Sequence, residues 1–126
     1  MIPKFRAYDG GSLCRMYSPE EVMVGNGDIW IIDEDGVAGE WIVNNDLVLM
    51  QSTGLTDEDG KEIFEGDIID STDGFLTGVV EFRVGLGMFI SELVEYNSFE
   101  RLCNVASSRK IIGNIWEHPE LAEVGS

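Results

Sequence analysis

The sequence predicts a mainly β protein, and three observations carry that expectation. Asp-Gly pairs recur at Asp9-Gly10, Asp35-Gly36, Asp59-Gly60 and Asp73-Gly74, each between apolar stretches, where glycine supplies the positive φ of a tight hairpin turn. The stretches between them have strand length and are rich in β-branched and aromatic residues. Helical spacing of apolar residues is confined to short segments.

The first strand is expected over 2–8. Within it Lys4, Arg6 and Tyr8 share one face and Phe5 and Ala7 the other, which makes the second face the core side. Ser18-Pro19-Glu20-Glu21 then places serine at an N-cap, proline at the first helical position and glutamate three residues after the cap. Gly25 follows so soon that one or two turns are the limit. Strands are expected at 28–32, 40–43 and 47–51, followed after a polar stretch by 67–70, 78–82 and 88–93, with Val80 and Phe82 on a common face. Between 92 and 105 the spacing of Tyr96, Phe99, Leu102 and Val105 suits either a short helix or an irregular loop. A last strand is expected over 110–116. Strand spacing of this kind suits sheets or small barrels. The polar Gly/Asp-rich stretch near 51–60 is the one candidate boundary, leaving open a single domain 1–126 or two subdomains, 1–50 and 51–126.

Composition narrows the function classes. The chain has 126 residues and is 44% hydrophobic, enough apolar material to support a real core. Its longest apolar runs fall well short of the roughly 20 residues that span a bilayer, and no charged-then-apolar leader opens it, so a cytoplasmic protein without membrane association is expected. Cys14 and Cys103 are too few and too far apart for a disulfide framework. Eight basic against 24 acidic residues give a net charge of −16, which repels nucleic-acid phosphates and anionic lipid. The excess is uneven: residues 16–60 hold eleven Asp or Glu and no Lys or Arg. Asp28, Asp33, Glu34, Asp35, Asp57, Glu58 and Asp59 form the candidate acidic surface.

Few catalytic or ligand-binding patterns survive inspection. Asp33-Glu34-Asp35-Gly36 and Asp57-Glu58-Asp59-Gly60 resemble the opening of a calcium loop, but aligning either glycine with the loop's sixth position puts Ile31 and Ile42, or Leu55 and Gly66, at the terminal ligand positions. Acidic turns explain both better. One histidine and two isolated cysteines do not make a zinc site. His118, in Glu117-His118-Pro119, reads as part of a chain-ending turn rather than the base for a nucleophile. No phosphate-cradling glycine loop occurs, and Gly85-Leu86-Gly87 reads as a hairpin bend. Trp30, Trp41 and Trp116 fall in strand-like contexts where aromatics usually serve packing. No cofactor and no metal are expected.

Four blocks carry a family likeness: Lys4-Phe5-Arg6-Ala7-Tyr8-Asp9, the stretch MQSTGLTDEDGKEIFEGDII over 50–69, Gly78-Val79-Val80-Glu81-Phe82, and IIGNIWEHPEL over 111–121. In these the chain resembles the YopX family. The resemblance implies a phage- or prophage-encoded protein of the bacterial cytoplasm, mainly β, with no established reaction and no catalytic residues to carry over. Its motif positions have structural explanations: Gly54 and Gly60 suit turns, Gly66-Asp67 a tight turn into the next strand, and Gly113-Asn114 a bulge or bend. By analogy of fold, Glu65-Gly66-Asp67-Ile68-Ile69 followed by a hairpin and the Gly78 block resembles the opening strands of an SH3-like barrel.

Two functions of different class follow. One is a non-enzymatic acidic module, compatible with a homo-oligomer, that binds a host or phage protein, including a nucleic-acid-binding enzyme whose basic groove its carboxylates would fill. The other is a small hydrolase or lyase using Glu65, Asp67 or Glu81 as acid or base.

Overall fold

The computed structural model describes residues 4–11, 14–32 and 40–123, and is predominantly β strand with short helical turns. It divides into two compact units, Met1–Gln51 and Ser52–Ser126.

The first unit starts with β1 (Phe5–Asp9), which pairs antiparallel with β2 (Arg15–Tyr17). A 3-10 turn, Pro19–Glu21, follows. The Glu21 carboxylate accepts from both the backbone N–H and the hydroxyl of Ser18, closing the capping box that the sequence signals. The chain then runs through β3 (Val22–Gly25), β4 (Asp28–Ile32) and β5 (Trp41–Val43), a three-stranded antiparallel sheet with β4 in the middle. Asn26 and Gly27, both at positive φ, make the turn between β3 and β4. The first residues of β6 (Val48–Thr56) pair with β1, setting Ala7 opposite Leu49. Ala7, Tyr17, Ile31 and Leu47 form the core, with Val22, Ile29 and Leu49 against it. Ala7 lies on the expected core face of β1, yet Tyr8 on the other face is also buried.

In the second unit the end of β6 pairs with β7 (Glu62–Phe64). A five-stranded antiparallel sheet follows, curled like half a barrel, in the order β11-β10-β9-β8-β12. Its strands are β8 (Asp67–Asp70), β9 (Gly78–Arg83), β10 (Met88–Leu93), β11 (Phe99–Arg101) and β12 (Lys110–Asn114). One helical turn, α1 (Leu102–Val105), and a 3-10 turn, Ala106–Ser108, join β11 to β12. The 92–105 segment is therefore strand, loop and a single helical turn, with Leu102 the residue that turn buries. Ile63, Ile69, Val80, Leu102 and Ala106 make the core, flanked by Leu55, Phe89 and Ile111. Val80 faces it as expected, whereas Phe82, further out on the same face, is 44% exposed and meets Phe89 edge-on at 5.1 Å between ring centroids.

The last strand stops at Asn114, two residues short of the expected Trp116. Asn114 Oδ1 accepts from the backbone N–H groups of Trp116 and Glu117, and this side-chain turn replaces the sheet ladder. Trp116 thus sits in a turn and is exposed.

Ser91 is an exception inside this core. It is fully buried in the centre of β10, packed on Gly78, and its hydroxyl has no hydrogen-bond partner among the described residues. An unpartnered buried hydroxyl forfeits its hydration without return. Ser91→Ala is expected to raise the urea midpoint by the equivalent of about 1 kcal/mol; a lower midpoint would mean the hydroxyl is satisfied in solution. A Cβ at Gly78 would collide with Ser91 Oγ, which accounts for glycine there without any appeal to positive φ.

Candidate functional site

The acidic residues proposed from sequence fall into different structural roles. Asp28 opens β4, half-buried, and its Oδ1 accepts from Asn45 Nδ2 at 2.8 Å. Asn45 Oδ1 in turn accepts from the Ile29 backbone N–H. Asp33, Glu34 and Asp35, with the Asp35-Gly36 turn, lie outside the described residues.

Asp57, Glu58 and Asp59 come together in the turn between β6 and β7, but they do not form one acidic face. Glu58 and Asp59 are exposed, and Lys110 Nζ approaches Asp59 Oδ2 at 3.6 Å. Asp57 is only 4% exposed, a correction to its placement on the acidic surface. Its Oδ1 accepts from the backbone N–H groups of Asp59 and Lys61, each at 2.9 Å, and its Oδ2 from that of Ile111 at 3.0 Å. Burial opposes ionisation here, yet the three backbone donors and nearby Lys61 outweigh it and hold the carboxyl below its ordinary range. Acid counting cannot separate this role from surface charge; the Asp-x-x-Gly spacing of a side-chain-closed turn is the signal that could have.

The family-motif residues act locally as well. Gly60 and Gly66 sit in turns at positive φ. Gly54 also has positive φ but lies within β6, where the pairing with β7 shifts register, so it serves a strand irregularity rather than the expected turn. Asp67, buried, accepts from the Phe64 N–H at 2.8 Å and closes the turn at Gly66. At Gly113 the pairing of β12 with β8 slips by a residue, and the His118 ring lies where a Cβ would stand. The Asn114 N–H donates to His118 Nδ1 at 3.3 Å and Asn114 Nδ2 donates to Glu117 Oε1 at 2.8 Å. His118 is thereby held in its own turn.

Two of the three acid–base candidates are engaged by neighbouring groups. Asp67 is buried and engaged with backbone, and exposed Glu81 pairs with Arg83, which also meets Glu92. Glu65 lies in the turn before Asp67. Among the described residues no group of three or more His, Cys, Asp or Glu is placed to hold a metal ion. Both cysteines are free and exposed. No helix among the described residues is long and apolar enough to cross a membrane.

Antiparallel β sheets with carboxylate-closed turns and an excess of acidic residues define a class of small acidic β proteins. Within it this chain belongs to the YopX protein family, whose model matches residues 4–123. It is similar to protein EF1440 from Enterococcus faecalis, at 28% identity over 98% of this chain and 99% of that one, with a TM-score of 0.64. It also shares its fold with protein yopX from Bacillus subtilis, at 19% identity over 94% and 96% of the two chains, with a TM-score of 0.59. No curated protein matches it.

Proposed function

We propose that this chain is a non-enzymatic interaction module, encoded by a phage or prophage and acting in the bacterial cytoplasm, that binds a basic host or phage protein through an acidic surface. The observation that carries this reading is the one-sign stretch 16–60, which holds eleven carboxylates and no lysine or arginine of its own. Of these, Glu20, Glu40 and Asp46 are exposed in the first unit, with Asp28 half-buried at the head of β4, and Glu58 and Asp59 are exposed in the second. Carboxylates in this excess steer a cationic partner and repel anionic ones. A DNA- or RNA-handling enzyme, whose groove is built for phosphate, is the partner type this charge suits best.

The test is capture of partners from nuclease-treated host lysate with the parent chain and with a variant carrying Asp28→Asn, Glu40→Gln, Asp46→Asn and Glu58→Gln. Asp57 is left intact because it holds its turn together. A basic protein retained by the parent and lost by the variant is expected, and with purified partner the affinity should fall about tenfold or more between 50 and 200 mM salt, as multiple charge contacts require. Binding indifferent to both salt and these substitutions would sink the reading.

A further inference from the structure

We propose that β11, an edge of the five-stranded sheet, pairs with β11 of a second copy of this chain, antiparallel across a two-fold axis. The inference goes beyond the acidic-module reading and does not depend on it.

The hydrogen-bond ladder shows which backbone groups β11 leaves over. The Leu93 N–H donates to the Ser98 carbonyl at 3.1 Å, and the register sets Ser91 opposite Glu100 and Glu92 opposite Phe99. Bonded and non-bonded positions alternate in an antiparallel pair, so Glu100 bonds to β10 while Phe99 and Arg101 turn their N–H and C=O groups outward. The bond from the Val94 N–H to the Thr77 carbonyl, on the β9 side, follows the same alternation. Arg101 is the N-cap of α1, and its carbonyl starts that helix. The Phe99 N–H and C=O and the Arg101 N–H take no hydrogen bond from the described residues. Elsewhere in this unit the comparable groups are tied down. On β12 the Ile111 N–H goes to Asp57 and the Arg109 carbonyl to the Glu58 N–H, and at the end of β7 the Phe64 N–H goes to Asp67. A bare row of N–H and C=O is a template for another strand.

Charge selects the copy. The edges β3 and β5 of the first unit follow exposed Glu20 and Glu40, in the stretch without lysine or arginine, where a second copy is repelled. Around β11 the charges balance instead. Arg83 bridges Glu81 and Glu92 and lies over the Phe99 ring, 5.1 Å from its centroid, and Arg109 holds Glu100. Arg101 is exposed and has no acidic partner among the described residues. A two-fold pairing centred on Glu100 sets Arg101 opposite Phe99 of the copy, repeating the Arg83–Phe99 contact. On the other face Glu100 meets its counterpart, each carboxylate already neutralised by its own Arg109. A cationic foreign strand gains nothing beside Arg101, and an acidic one meets a chain of net charge −16.

Sedimentation equilibrium and amide exchange of the full chain test this. An edge this short supports a weak dimer, expected to form between about 0.1 and 1 mM. It should tighten as salt rises from about 0.05 to 0.5 M, because salt screens the repulsion between the two acidic chains. Exchange of the Phe99 and Arg101 amides should slow with rising protein concentration, while that of Glu100, bonded within the sheet, stays unchanged. Arg101→Pro should weaken the dimer about tenfold or more: its φ of −71° suits proline, extended Glu100 precedes it, and only the outward N–H is lost from the backbone. Should that variant lose its far-UV dichroism, Phe99→Lys, which sets a cation against Arg101 of the copy and keeps every backbone group, should weaken the dimer instead. A parent still monomeric at about 1 mM overturns the proposal. So does a dimer that both variants leave intact, or one in which the Phe99 and Arg101 amides exchange as in the monomer. Slowing of these amides only when a captured partner is added would give the edge to a foreign strand, and would also overturn it.

Discussion

Replacing Asp57 with alanine is expected to destabilise the protein by about 3 kcal/mol, the scale of deleting a buried carboxylate that accepts several backbone hydrogen bonds. The geometry explains why the loss exceeds that of an ordinary turn residue. Asp57 Oδ1 gathers the N–H groups of Asp59 and Lys61, and the Asp57 N–H donates to the Lys61 carbonyl at 2.8 Å, so backbone and side chain close the same turn. Oδ2 reaches the Ile111 N–H in β12, beside a second tie from the Glu58 N–H to the Arg109 carbonyl. Alanine breaks the side-chain bonds of both sets at once. Asparagine should recover only part, because its amide keeps an acceptor for the turn but directs N–H toward the Ile111 donor.

The pH dependence gives a second readout of the same residue. The Asp57 carboxyl is held below its ordinary value in the folded state, so its contribution is fully present above the unfolded value of about 3.9 and is lost as pH falls through the lower folded value. The gap in urea midpoint between parent and Asp57→Ala should therefore be constant from neutral pH down to about 4 and narrow below it. A gap independent of pH down to 2 would show that ionisation of Asp57 contributes nothing.

The contrast between Asp57 and its neighbours shows what a sequence reading can and cannot resolve here. The strands at 28–32, 67–70 and 88–93 coincide with β4, β8 and β10, because each is an apolar run bounded by turn residues and long enough to carry a pattern. The strands β2, β7 and β11 were not legible, since three residues that include a charged side chain show too little pattern, whereas the equally short but wholly apolar Trp41-Ile42-Val43 of β5 was expected. β3 was readable in principle: Asn26-Gly27 between Val24 and Ile29 is a strong hairpin signal, masked by the capping box just before it. Of the candidate site, the excess of charge is a property of composition and so was visible, whereas the diversion of Asp57 and Asp67 to backbone donors depends on partners such as Ile111, 54 residues away in the first case. Trp30 and Trp41 were recognisable as strand residues, but a single strand cannot show that they share a face with Met23 and Val43. That emerges only from the cross-strand register.

Arg109 had no sequence signature, lying in a polar Ser107-Ser108-Arg109-Lys110 run, yet it yields the other large expected effect. Its side chain is only 8% exposed, and Nη2 holds both oxygens of Glu100, at 2.8 and 3.0 Å, while Nη1 donates to Ser108 Oγ. Nε is buried without a partner among the described residues, so Glu100 carries most of the compensation for this buried cation. Glu100→Ala is accordingly expected to cost about 3 kcal/mol, because it strands a largely buried charge without its counter-ion. Arg109→Met in the same background should restore much of that loss: the aliphatic chain fills the space without needing a counter-ion, and the backbone bonds of Arg109 to Ala106 and Glu58 remain. The four urea midpoints of this double-mutant cycle measure the coupling directly. A loss below about 0.5 kcal/mol for Glu100→Ala would place the pair among solvent-screened surface bridges. A double variant no more stable than Glu100→Ala would instead mean that Glu100 acts through its own packing rather than through the charge it neutralises.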